Sequence, residues 1–118
     1  YMVTFAYGTN DWHFENDYTR DLPEIFLRLH EKYDNIPVFV ILPIARKSEK
    51  TEITKLGTLA QVREVIAAEA EKYDNFYVLN FGGKINPDND LYTDGIHPNN
   101  SGMRKLGKYL TDEIKINL

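Results

Sequence analysis

Apolar residues fall along this chain in two alternating patterns. Three short runs are nearly continuous: Met2 to Tyr7, Val38 to Leu42 and Phe76 to Phe81. Gly8 stops the first and Pro43 the second, and each run reads as a buried strand. The third is the weakest, because Asn80 interrupts it. Elsewhere apolar residues recur at helical spacing. Tyr18, Leu22, Ile25, Phe26, Leu29 and Tyr33 form one stripe. Val62, Ile66, Ala70 and Tyr73 form a second, and Met103, Leu106, Leu110 and Ile114 a third. Asp21 and Glu24 predict a capping box at the start of the first helix, with Pro23 tolerated in its first turn. Thr58 and Gln61 predict a better box for the second helix. Arg46 to Lys55 reads as a polar loop, and Gly82 to Asn100 as a long one rich in Gly, Asn, Asp and Pro.

The resulting order, β-α-β-α-β-α, predicts an α/β domain with parallel strands joined by right-handed crossovers. Nearly continuous apolar strands imply a sheet covered by helices on both faces. One internal repeat stands out: Glu31-Lys32-Tyr33-Asp34-Asn35 recurs as Glu71-Lys72-Tyr73-Asp74-Asn75. Each copy lies where a helix ends and a strand begins. Shared turn chemistry accounts for this better than duplication does.

Composition narrows the function classes. A length of 118 residues bounds the chain to one domain or part of one. The 14 Lys and Arg and 18 Asp and Glu are interspersed and give a formal charge of −4. With no basic stripe, nucleic-acid binding is not expected. No apolar run is long enough to span a membrane. The absence of cysteine excludes disulfides and thiolate chemistry and leaves the compartment open. His13, His30 and His97 lack metal-ligand spacing. Asp88, Asp90 and Asp94 fit a calcium loop poorly, because Tyr92 falls where a ligand belongs and no glutamate closes the loop. Neither a metal nor another cofactor is expected.

Two stretches carry candidate chemistry. Asp94-Gly95-Ile96-His97-Pro98 places an acid three residues before a histidine, ahead of a helix. A general base needs a carboxylate on one ring nitrogen so that the other faces the reaction. Gly8-Thr9-Asn10-Asp11 directly follows the first strand. In a parallel sheet both stretches fall beyond the carboxyl ends of strands, where working sites lie. On the residues alone, Asp94-Gly95 is equally an ordinary turn and Asn10-Asp11 an ordinary turn cap. Trp12 and His13 are candidates to line a pocket or to pack beneath a loop. Arg46 is a candidate to bind a polar substrate group or to remain solvated charge.

These motifs resemble the SGNH, or GDSL-type, hydrolase superfamily. One of that family's sequence blocks is built on a glycine and an asparagine, matched by Gly8-Thr9-Asn10-Asp11. Another has Asp, two residues, then His and often Pro, matched by Asp94, His97 and Pro98. Asn99-Asn100-Ser101-Gly102 resembles the usual entry to the last helix. The resemblance implies a flavodoxin-like three-layer α/β/α fold, with residues 1–118 as the C-terminal portion of a single SGNH hydrolase-like domain. It implies that His97 is the base, that Asp94 orients it and that Asn10 donates to the oxyanion. Beside these, Gly8, Trp12 and Arg46 are the candidates for substrate binding. The family's Gly-Asp-Ser nucleophile block and its second glycine block have no counterpart here. Ser48 sits in a charged loop and Ser101 at a helix start, so neither suits a nucleophile.

The expected function is therefore ester hydrolysis with a serine supplied from outside this chain. The substrate would be a small ester such as an acetylated carbohydrate or a short-chain acyl ester. The alternative is a non-catalytic α/β binding domain derived from such a hydrolase. Without a neighbour for the Met2–Tyr7 strand, the chain is expected to form a homodimer or to pair with the missing N-terminal half.

Overall fold

The computed structural model describes residues 1–118. Three strands, β1 (Val3–Phe5), β2 (Val38–Ile41) and β3 (Phe76–Leu79), form a parallel sheet in the order β1-β2-β3. The register pairs Val3 with Val38 and Val38 with Phe76, so all three strands begin at one edge and end at the other. The helices are α1 (Thr9–His13), α2 (Leu22–Lys32), α3 (Leu59–Ala70) and α4 (Asn100–Asn117). Alternate strand residues face opposite layers. Val38, Val40 and Phe76 pack with Trp12, Phe26 and Ile66 in the layer of α1, α2 and α3. Phe39 and Leu79 pack with Leu106, Tyr109, Leu110 and Ile114 of α4 on the other face. The expected three-layer α/β/α arrangement is thus present. It is incomplete over β1, where Thr4 is exposed, as is Ala6 just beyond the strand.

The strands are shorter than their apolar runs. Met2, Ala6 and Tyr7 lie outside β1, which has a partner on one side only. Asn80 ends β3, and its side chain accepts the Gly82 N–H at 3.1 Å. That local bond competes with continued pairing.

The Thr58–Gln61 box forms in full, with both reciprocal bonds. The Asp21–Glu24 box does not. Asp21 already has near-helical backbone angles, φ −91° and ψ −15°, and makes no side-chain cap. A capping side chain needs an extended backbone to fold back over the first turn. The Asp21 carboxylate pairs instead with Arg20 at 3.1 Å, and Glu24 with Arg28 at 2.7 Å. Pro23 does sit in the first turn of α2. Helix α1 is an element that the apolar pattern misses, since its five residues are too few to show a period.

The repeated segments become neighbours. Parallel register brings both helix-to-strand turns to the amino edge of the sheet. There the Asn75 amide donates to the Tyr33 and Ile36 carbonyls, each at 3.0 Å, while its oxygen lies 2.8 Å from His30 Nδ1. Asn35, its counterpart, bonds only its neighbour Asp34 among side chains. The two copies share a turn but not a role.

Two glycines on α4 should respond oppositely to alanine. A Cβ on Gly102 would collide with the Asp90 carbonyl oxygen, whereas nothing lies within 4 Å of one on Gly107. Gly102→Ala is expected to destabilise by about 1–3 kcal/mol. Gly107→Ala is expected to stabilise by roughly 0.5–1 kcal/mol, because glycine is costly within an exposed helix. Denaturant melts of both variants check the pair, and equal shifts would contradict this packing.

Candidate active site

Both motifs stand at the carboxyl edge of the sheet. Gly8 follows β1 with φ at +120°, a conformation other residues rarely adopt. A Cβ there would lie 3.0 Å from Ile66 Cδ1 and 3.1 Å from both Pro43 Cγ and Tyr18 Oη. Glycine therefore lets the chain turn tightly into α1, which presents Asn10 at the surface. A cleft of about 320 Å³ opens here, walled in part by Gly8, Thr9, Asn10, Asp11, Pro43 and Ile44.

After β3, the Asp94–His97 turn closes on itself. Asp94 Oδ1 accepts the backbone N–H groups of Ile96 and His97 at 2.9 and 3.1 Å. Asp94 Oδ2 lies 2.6 Å from His97 Nδ1. Chiefly the His97 bond, and then these two N–H groups, pull the Asp94 pKa down to about 2. The carboxylate is thus ionised and can only accept, so Nδ1 carries the proton and Nε2 is left free. The imidazole is 73% exposed and the carboxylate 43%. Gly95, at φ +69°, lets the turn close against Lys47. The Lys47 N–H donates to the Gly95 carbonyl at 2.9 Å, tying the turn to the loop after β2.

The remaining candidates divide. Asp94 and His97 are brought into direct contact, and Gly8 and Asn10 share the cleft wall. Trp12 is fully buried and lies outside the Asn10 cleft, so of its two sequence readings it packs beneath a loop and not against substrate. Its indole N–H donates to the Gly57 carbonyl at 2.9 Å, which fixes the loop before α3. An indole two positions beyond Asn10 on a short helix points inward when the asparagine points outward. Arg46 is also buried, at 5% exposed, where a solvated or substrate-facing arginine was expected. Its guanidinium lies over the Trp12 ring at 5.3 Å, a cation–π contact, and its Nε has no partner. Neither residue belongs to the wall of the Asn10 cleft. Both serines are occupied: Ser48 Oγ donates to Glu52 at 2.7 Å and Ser101 Oγ to Asp90 at 2.8 Å.

Asp90 itself escaped the sequence reading as a structural residue. It is fully buried and receives Lys105, the Asn86 N–H and Ser101. These donors, Lys105 foremost, hold its pKa down at about 2. The available signal was the spacing of Ser101 and Lys105, one helical turn apart on the same face of α4.

The profile of the GDSL-like lipase/acylhydrolase family matches residues 2–105. No curated protein matches the sequence. Among solved structures, a protein from Lactobacillus plantarum is 18% identical, with a TM-score of 0.81 over 99% of this chain and 67% of that one. A carbohydrate esterase family 3 protein from Talaromyces cellulolyticus is 17% identical, with a TM-score of 0.70 over 98% of this chain and 58% of that one. The salicylyl-acyltransferase SsfX3 from a tetracycline biosynthetic pathway is 17% identical, with a TM-score of 0.74 over 98% of this chain and 37% of that one. These likenesses show a shared fold, and the chain spans only part of each relative. With the profile matched along nearly its whole length and both motifs at one edge of the sheet, the chain belongs to the GDSL-like lipase/acylhydrolase family.

Proposed function

We propose that this chain supplies the base, its orienting acid and an oxyanion donor to an ester hydrolase whose serine lies elsewhere in the domain. The observation that carries the reading is the 2.6 Å bond between Asp94 and His97 Nδ1, which leaves Nε2 free at the carboxyl edge. In the first step the serine hydroxyl attacks the ester carbonyl, and its proton passes to His97 Nε2. Asp94 stays ionised and stabilises the imidazolium. The tetrahedral oxyanion accepts from the Asn10 side-chain amide, a donor typically worth roughly 3 kcal/mol in the transition state. The departing alkoxide takes the proton back from Nε2, leaving an acyl-serine. Water then repeats the sequence, giving its proton to Nε2 and releasing the acid and the serine. Small esters such as acetylated carbohydrates or short-chain acyl esters suit this chemistry, and the likeness to a carbohydrate esterase supports the former.

Three outcomes test this reading. With Ser48 and Ser101 both engaged by carboxylates, the chain alone should show negligible turnover of a chromogenic short-chain ester. In a longer protein that carries the serine, His97→Ala should lower kcat by up to about a million-fold. Asn10→Ala should lower it by roughly a hundred- to a thousand-fold. Full activity after His97→Ala would sink the proposal.

The Asp94 carboxyl should titrate by NMR with a midpoint near 2, and His97→Ala should raise it towards the ordinary value of about 4. Because the folded pKa is depressed, the stability these bonds contribute is complete above about pH 4. It disappears as pH falls through about 2. A midpoint unmoved by His97→Ala would mean the imidazole is not what holds the carboxylate.

The sheet edge yields a separate expectation. β1 pairs only with β2, so its other side keeps unpaired N–H and C=O groups. Beside it, Phe5, Tyr7, Tyr18, Ile25 and Leu29 line an apolar groove of about 440 Å³. The isolated chain is expected to cover this edge with a second copy, strand against strand. Light scattering should therefore report a dimer at micromolar concentration, and a stable monomer would contradict it.

A further inference from the structure

His97 and Asp94 stand at the tip of a closed loop whose neck is held by a residue outside both motifs. Leu91 and Pro98 meet there in an antiparallel bridge. The Tyr92 N–H donates to the His97 carbonyl at 2.8 Å, and the Asn99 N–H to the Asp90 carbonyl at 2.9 Å. The Asn99 amide adds bonds to the Asn89 and Leu91 carbonyls at 2.8 and 3.2 Å. Just below the neck lies the buried Asp90 carboxylate. One of its oxygens accepts the Ser101 hydroxyl at 2.8 Å. The other accepts the Asn86 N–H at 2.8 Å and the Lys105 ammonium at 2.6 Å. Asp90 therefore joins the strand-side loop, the neck and the first two turns of α4 at one point.

This joint has a consequence for the tip. The His97 ring is 73% exposed, and its only side-chain hydrogen-bond partner is Asp94. So open a pair takes its direction from the backbone beneath it, and small displacements of catalytic groups cost large factors in rate. A buried carboxylate, in turn, keeps its place only while its donors and counter-charge remain. Resting on the catalytic reading of His97, we infer that Asp90, with Lys105 as its counter-ion, is a positioning residue for the His97–Asp94 pair. It acts through the neck and touches no substrate. Lys105 is 44% exposed, so its charge can be removed with little loss of packing.

The test is side-chain nitrogen NMR on the ¹⁵N-labelled chain, at a pH where its histidines are neutral. Unmodified protein should show His97 in a single Nδ1–H form. Lys105→Met and Asp90→Asn should both lose that form and drift towards the tautomer mixture of an unattached imidazole. Lys105→Arg should retain it. Lys108→Met removes a charge from the same helix by breaking the Lys108–Asp112 pair at 2.6 Å, and should leave His97 unchanged. If Asp90→Asn does not fold, the lysine variants carry the test. Unchanged His97 signals in Lys105→Met, or an equal change in Lys108→Met, would overturn the inference. Turnover that survives His97→Ala sinks the hydrolase reading without altering these spectra, so the two failures are distinguishable.

Discussion

Everything in this structure depends on β2 being buried on both faces and both edges. Val38, Phe39 and Val40 are wholly inaccessible, with parallel partners on either side. A one-residue slip would turn Phe39 into the α2–α3 layer and Val40 towards α4, so the register is strongly determined. Once it is set, the strand ends align. The carboxyl edge collects the Gly8 turn, the Pro43–Arg46 segment and the long loop after β3. The amino edge collects the two similar turns that Asn75 ties together.

The carboxyl edge shows a division of labour between exposed and buried polar groups. The groups proposed for chemistry, Asn10 and His97, lie at the surface. The groups that hold the edge are buried and multiply bonded. Arg63 is an example: its Nε donates to the Pro43 carbonyl at 2.7 Å, and one Nη to the Ile44 carbonyl at 3.1 Å and to Glu49 at 2.7 Å. These bonds satisfy carbonyls that a strand leaves open at its end. Glu49 also accepts the Arg46 N–H at 3.0 Å, so one carboxylate links α3 to the segment following β2. Such multiply bonded networks make a loop edge rigid enough to carry a site.

Much of this was legible in the amino-acid order because several signals agreed. The three apolar runs, the Thr58–Gln61 box and the helical stripes all point to the same alternation, and each appears. The Asp94–His97 contact was legible because a three-residue separation in a turn leaves few other arrangements. What escaped notice depended on tertiary placement. Nothing local distinguishes Asp21, which is not a cap, from Thr58, which is; the difference lies in the backbone angle on arrival at the helix. Trp12, beside the Asn10 turn, and Arg46, after the second strand, are both open to a substrate role in the amino-acid order. Their burial arises from stacking on each other beneath the loop that Gly57 anchors. Asp90 looked like one more acidic loop residue until α4 brought Lys105 and Ser101 to it.

The position of Trp12 also makes the protein its own optical reporter. It is the sole tryptophan, and it sits entirely in the layer of α1, α2 and α3. Its emission therefore senses that face of the sheet and not the one covered by α4, where the Phe81–Tyr109 stack lies. Far-ultraviolet circular dichroism, by contrast, reports the helices of both faces, α4 being the longest of them. Whether the two signals move together on unfolding measures whether a sheet with such unequal layers melts as one cooperative unit or one face at a time.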